Sequence, residues 1–214
     1  MKKLIMTVLT VALMLTAGEK VKMSTVLSGD YFSKGFSADV KMTSDMPMMP
    51  VMEPYKIYTD GDGNSRTEMK DNISLYIEEK GKDMIYNYDK KSKTYTVMSL
   101  DDMPGGMQKP EEFEEEELVE KAGSAMFAGV KCDRYKIIID DKDKSADDEM
   151  QGDSYIFVDP VKKMVTGMET KMGEYYMKME YSNIKQGVDK SLFKPIQGYK
   201  KVETSFPGGM NFFK

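Results

Sequence analysis

Apolar and polar residues alternate along this chain in short bursts separated by turn residues. Phe36, Ala38, Val40 and Met42 take one face of the first burst, and Ser37, Asp39 and Lys41 take the other. That period of two predicts a half-buried strand. Tyr55 to Thr59 predicts a second strand and Ser65 to Lys70 a third, joined across the turn-forming run Asp60 to Asn64. Ile73, Leu75 and Ile77 alternate with Ser74, Tyr76 and Glu78, and Met84, Tyr86 and Tyr88 line the strand that follows. Lys93 to Met98 continues the series. Strands and turns at this spacing predict an antiparallel meander.

Beyond residue 100 the pattern changes. Asp101 to Lys109 reads as a Pro/Gly loop, and Pro110 to Lys121 as a helix. Pro110 suits the first helical position, Glu111 and Glu112 suit the positive end of the dipole, and Lys121 and Gly123 suit the C-terminus. Ser124 to Phe127 and Val130 to Asp140 then predict a hairpin around Ala128 and Gly129, followed by an acidic loop to Gly152. Tyr155 to Val158 and Met164 to Lys171 predict two more strands, and Tyr175, Met177, Met179 and Tyr181 share one face of another. Asp189 is placed to cap a short helical turn through Phe193, and Gly198 to Glu203 predicts a closing strand. There is no internal repeat. Many strands with one longer and one short helix predict a mainly β (α+β) fold, a strongly curved antiparallel sheet or open half-barrel.

The first residues follow a different logic. Lys2 and Lys3 precede an uncharged run from Leu4 to Ala17, and small residues at Thr16, Ala17 and Gly18 precede Glu19. This is the layout of a cleavable secretion signal over residues 1–18, with an apolar run too short to span a bilayer comfortably. The expected organisation is a signal over 1–18, one domain over 19–205 and a loose tail over 206–214, in a periplasmic or secreted protein. Cys132 is the only cysteine. No internal disulfide is possible, and a lipid-attachment cysteine at the cleavage point is absent.

Composition narrows the function. The net charge is −5, and removing the two signal lysines makes it more acidic still. With no basic stripe, nucleic acid is a poor partner. With no histidine, Ser-His-Asp chemistry, Cys-His chemistry and histidine metal sites are excluded. The 36 acidic residues offer many carboxylate pairs, but no spacing singles one out. Methionine is abundant, at 22 residues. Its flexible thioether suits cores and pliable apolar binding surfaces.

Two stretches carry a family resemblance. Gly129, Lys131, Cys132 and Tyr135 form a G-x-K-C-x-x-Y pattern, and Ser191 to Tyr199 reads S-L-F-K-P-I-Q-G-Y, close to an S-L-F-x-P-x-G-Y pattern. Both resemble segments of exported bacterial domains related to the LolA-like periplasmic lipoprotein carriers and their lipid-binding relatives. The resemblance runs from about Phe36 to Val202. It implies a curved antiparallel sheet wrapping helices, with an apolar face that holds acyl chains. The carriers' partner-docking residues have no counterpart here, and the only arginines are Arg66 and Arg134. The expectation is therefore general: a non-catalytic binding or carrier protein for a lipid, an acylated protein or another apolar ligand, without a cofactor.

The candidate cavity residues are Phe36, Val40, Met42, Ile57, Leu75, Ile77, Tyr86, Tyr88, Met177, Met179 and Tyr181. The competing reading of the same residues is an ordinary filled core in a structural or envelope-interaction module. Met46, Met48, Met49 and Met52 cluster in a proline-rich stretch and form a Cu(I) candidate, because thioethers are soft ligands; an apolar lid explains them as well. Asp60, Asp62, Asn64 and Asp71 match positions of a calcium loop, but Ser65 stands where that loop needs glycine, so a hairpin turn is the better reading. Cys132 reads as a buried, inert thiol.

Overall fold

The computed structural model describes residues 18–47, 51–102, 117–138 and 152–203. Thirteen strands form one curved, unclosed sheet in the order β1-β8-β9-β10-β11-β12-β2-β3-β4-β5-β6-β7-β13. The central run is β2 (Phe36–Ser44), β3 (Tyr55–Thr59), β4 (Ser65–Glu68), β5 (Asn72–Glu79), β6 (Lys82–Asp89) and β7 (Thr94–Ser99). A second run is β8 (Leu118–Phe127), β9 (Val130–Ile138), β10 (Asp153–Asp159), β11 (Met164–Met172) and β12 (Tyr175–Gln186), and β12 closes back onto β2. Every pairing is antiparallel except the last, where β13 (Lys200–Lys201) lies parallel to β7. The two sheet edges, β1 (Lys20–Lys22) and β13, are short and lysine-bearing, which discourages edge-to-edge association.

Turn chemistry explains the meander. Asp60 Oδ1 accepts the backbone N–H groups of Asp62 at 2.9 Å and Asn64 at 3.0 Å, and Asn64 Nδ2 donates to Asp60 Oδ2 at 2.9 Å. The β3–β4 connection is thus a hairpin turn built on a buried aspartate. Asp89 and Asp159 cap the β6–β7 and β10–β11 turns in the same way.

Two helices precede β2: α1 (Met23–Val26) and α2 (Gly29–Lys34). Met23, Val26, Leu27 and Tyr31 follow helical spacing and are all buried, in one cluster with Phe36, Ala38, Val119, Tyr135, Ile156, Val158, Met164 and Val165. Tyr31 stacks on Phe36 with ring centroids 5.2 Å apart. Gly35 ends α2 at φ 64°, and a Cβ there would lie 2.1 Å from the Thr59 carbonyl oxygen. Only glycine lets α2 sit so close to β3.

The helix expected over Pro110 to Lys121 is corrected at its C-terminal end. Leu118 to Lys121 lie in β8, where Leu118 faces Ile138 and Val119 faces Ile137 on β9. Burying Val119 opposite Ile137 outweighs the local helix signals; residues 103–116 lie outside the described residues. Among the described residues the helices are α1, α2 and two 3-10 turns, Leu100–Asp102 and Lys190–Phe193. Asp189 caps the second of these, accepting from Ser191 N. Residues 1–17 of the signal expected over 1–18, and all but Gly152 of the acidic loop expected from Asp140, also fall outside the described residues. No described helix is long and apolar enough to cross a membrane.

Candidate functional site

Residues directly opposite on neighbouring strands share a face of the sheet. Register therefore traces each face from strand to strand. Ala38 pairs with Ile57, Ile57 with Thr67, Thr67 with Ser74, Ser74 with Asn87, and Asn87 with Thr96. The next row pairs Ser37 with Tyr58, Tyr58 with Arg66, Arg66 with Leu75, Leu75 with Tyr86, and Tyr86 with Val97. No register shift interrupts these five pairings. Ala38 and Ile57 belong to the face that carries α1 and α2. Leu75 and Tyr86 belong to the opposite face.

The eleven candidate cavity residues are thus divided between two faces. Phe36, Val40, Met42, Ile57, Met177, Met179 and Tyr181 share the helix-bearing face: Met179 pairs with Met42 and Tyr181 with Val40, and Phe36 and Tyr181 have ring centroids 6.2 Å apart. Leu75, Ile77, Tyr86 and Tyr88 pack on the opposite face with Ile73 and Phe193. The chain itself covers that second group. Tyr199 meets Tyr88 edge-on at 5.1 Å, Ile196 N donates to Tyr88 Oη at 2.9 Å, and Arg66 Nη1 donates to the Leu192 carbonyl at 3.1 Å. The segment Ser191 to Tyr199 is a cap over this cluster.

The helix-bearing face is graded from closed to open. At one end Phe36, Ala38, Val40, Val158 and Val165 are buried under the helices. At the other end Met42, Thr170, Met177 and Met179 are only half-buried. Met42, Met179 and Met168 stand opposite one another on β2, β12 and β11, and Ile156 continues the row on β10. Tyr55 on β3 stands opposite Val40 in the next row on this face, and its hydroxyl donates to Met179 Sδ at 3.9 Å. The result is a floor of three aligned thioethers flanked by Met177, Tyr55 and Tyr181.

Burial raises the Tyr55 phenol and pushes Tyr181 up to about 12, with the Tyr55 charge a lesser cause. Both stay neutral at ordinary pH, so the floor is uncharged. Its chemistry is that of an adaptable apolar surface, because thioethers and aromatic rings conform to variable partners.

Sequence reasoning singled out neither Tyr55 nor Met168 as a site residue, nor Met23, Val26, Leu27 and Tyr31 in the helices. The helical spacing of those last four was the available signal. For the copper candidate, Met46 and Met52 are half-buried, while Met48 and Met49 lie outside the described residues. Among the described residues no group of three or more Asp, Glu, Cys or His is placed to hold a metal ion.

Cys132 is buried on the face away from the helices, 3.2 Å from Thr166 Oγ1, with Phe127 stacked on Phe157 at 3.8 Å beside it. Burial pushes its thiol up, as an inert cysteine requires. Gly167 lies beneath Phe127, where a Cβ would meet the ring at 2.4 Å.

No protein-family model matches the chain, and no curated protein does. Solved structures do resemble it. A DUF1329 family protein from Desulfovibrio piger has a TM-score of 0.41 at 11% identity, over 80% of this chain and 92% of the other. A domain assigned to outer membrane lipoprotein sorting, from Vibrio parahaemolyticus, has 0.39 at 12% over the same shares. The Mycobacterium tuberculosis lipoprotein LppX has 0.37 at 11%, over 78% and 95%. Scores of this size carry no functional weight, and the fold rests on the strand pairing described above.

Proposed function

We propose that this protein is a non-catalytic carrier or binding protein for a lipid, a lipoprotein acyl chain or another apolar ligand, working in the periplasm or outside the cell. One observation carries the reading. On the helix-bearing face a buried core opens, along the same strands, into half-buried Met42, Met168, Met177 and Met179. Apolar surface left partly uncovered beside a packed core is surface that a ligand can cover. An acyl chain laid there gains roughly 0.8 kcal/mol per buried methylene, so tight binding needs few polar contacts. The ligand site is then Val40, Met42, Ile57, Met177, Met179 and Tyr181, with Tyr55 and Met168 added, while Leu75, Ile77, Tyr86 and Tyr88 serve stability.

The test is uptake of a fluorescent fatty acid by the purified protein and its Met177→Glu variant. Saturable uptake that Met177→Glu removes, with the fold intact by circular dichroism, supports the reading. Equal uptake by both proteins removes this floor from the site. No uptake by either leaves a filled-core interaction module as the better account.

A further inference from the structure

The helix-bearing face changes character as it crosses the sheet. Its row Ala38–Ile57 continues in register as Thr67, Ser74, Asn87 and Thr96 on β4 to β7. In this row apolar side chains give way to hydroxyls and an amide, while a row further along the same face carries Tyr76, Ile85 and Met98. Ser74 Oγ donates to Asn87 Oδ1 at 2.7 Å. That leaves Asn87 Nδ2 and the hydroxyls of Thr67 and Thr96 without a partner among the described residues.

The polar part opens at the same end of the strands as the thioether floor. β2 runs out to that end at Met42 and Ser44, β12 and β3 begin there at Tyr175 and Tyr55, and β5 and β7 begin there at Asn72 and Thr94. A cleft of about 400 Å3 lies there, walled by Ser74, Asn87, Thr94 and Thr96, by Met69 and Asn72 at its end, and by Tyr88 and Tyr95 of the capped cluster. That volume is in the range of small-ligand sites, roughly 300–1,000 Å3.

No lysine or arginine lines this cleft, and its one charged wall residue is Asp89. The N–H groups of Ser92 and Lys91 bind the Asp89 carboxylate and hold it below the usual carboxylate range, so the wall carries a negative charge. Nearby Lys90 directs its ammonium to the Met69 carbonyl at 2.5 Å. Anionic headgroups meet a carboxylate here, and neutral ones meet unspent donors and acceptors.

We infer that the cleft on β4 to β7 is a headgroup subsite, and that the ligand is a lipid with an uncharged, hydroxyl-bearing headgroup whose chain lies on the Met42–Met179–Met168 floor. The inference rests on the carrier reading, deepens it to a ligand class, and commits to a lipid rather than a free sugar.

The experiment is competition against a bound fluorescent fatty acid by three probes: a monoglucosyl diacylglycerol, a phosphatidylglycerol with the same chains, and methyl glucoside. It is run on the intact protein and on a variant carrying Asn87→Leu and Thr96→Val. The glucosyl lipid is expected to compete roughly tenfold better than the anionic lipid, the discrimination that one or two lost hydrogen bonds give. The variant is expected to lose that preference while keeping its affinity for the fatty acid.

Equal competition by the two lipids, or a preference that survives in the variant, overturns the headgroup subsite and leaves the carrier reading standing. Competition by methyl glucoside as strong as by the glucosyl lipid overturns the lipid assignment in favour of a sugar site. Failure of the fatty acid to bind at all overturns both readings together.

Discussion

The apolar cluster of Leu75, Tyr86 and Tyr88 on β5 and β6 points away from the helices and is covered by the residues that follow β12; the larger cluster on β9 to β12 and β2 points toward the helices and is covered only part of the way. The first region is closed by its own chain. Ile73, Leu75, Ile77, Tyr86 and Tyr88 meet Phe193, Ile196 and Tyr199, and the polar groups among them are paired, Tyr86 Oη with Glu79 and Tyr88 Oη with Ile196 N. The second region has a similar stock of apolar residues, yet α1 and α2 reach only its Phe36–Val165 end. A filled cluster contributes stability, and a half-filled one leaves room for a ligand. One sheet does both by burying opposite faces in its two halves.

Substitutions can separate the two roles. Phe193→Ala removes the centre of the cap and is expected to cost about 3–5 kcal/mol in denaturant unfolding, with fatty-acid affinity of the folded protein unchanged. Loss of affinity at full stability would reverse the assignment of the two regions.

Alkaline unfolding gives the next effect. The folded-state pKa of Tyr181 is raised to about 12 by burial, above the ordinary value of 10. Its stabilising contribution is therefore complete below about pH 10 and is lost as the pH rises through 12. Two units correspond to roughly 2–3 kcal/mol, so Tyr181→Phe should resist unfolding between pH 10 and 12 better than the parent. Identical alkaline curves would show that Tyr181 is not confined on this face.

Smaller again, Asp189→Ala removes the side chain that accepts from Ser191 N and is expected to lower the denaturation midpoint only slightly. Met179→Leu keeps the volume of the floor and should cost less than about 1.5 kcal/mol, with ligand uptake retained. A large loss of stability in Met179→Leu would mean that the thioether floor is packed core.

Most strands were legible because each carries its own alternation and ends in Asp, Gly or Asn. Tyr55 to Thr59 is the simplest case: a short apolar-bearing run stops at Asp60, whose carboxylate builds the turn. The exchange of faces was not legible. β4 reads Ser65, Arg66, Thr67, Glu68 and carries no apolar residue on either side. It gives no sign that Ile57 before it and Leu75 after it point in opposite directions. Only the register of β3 with β4 and of β4 with β5 decides that.

The site was read in halves for the same reason. The alternation grouped Met177, Met179 and Tyr181 correctly within β12, and it could not separate them from Tyr86 and Tyr88. The end of the stretch Pro110 to Lys121 misled for another reason. The proline, glutamates and final lysine of the stretch satisfy every local rule for a helix, while Val119 is fully buried opposite Ile137.

The most direct test of the central claim is native mass spectrometry of the protein purified from an exporting host, beside its Met179→Glu variant, with solvent extraction of each. The account predicts an added mass on the parent that partitions into organic solvent and is absent from the folded variant. A parent that flies as the bare chain, or a variant that carries the same added mass, would contradict it.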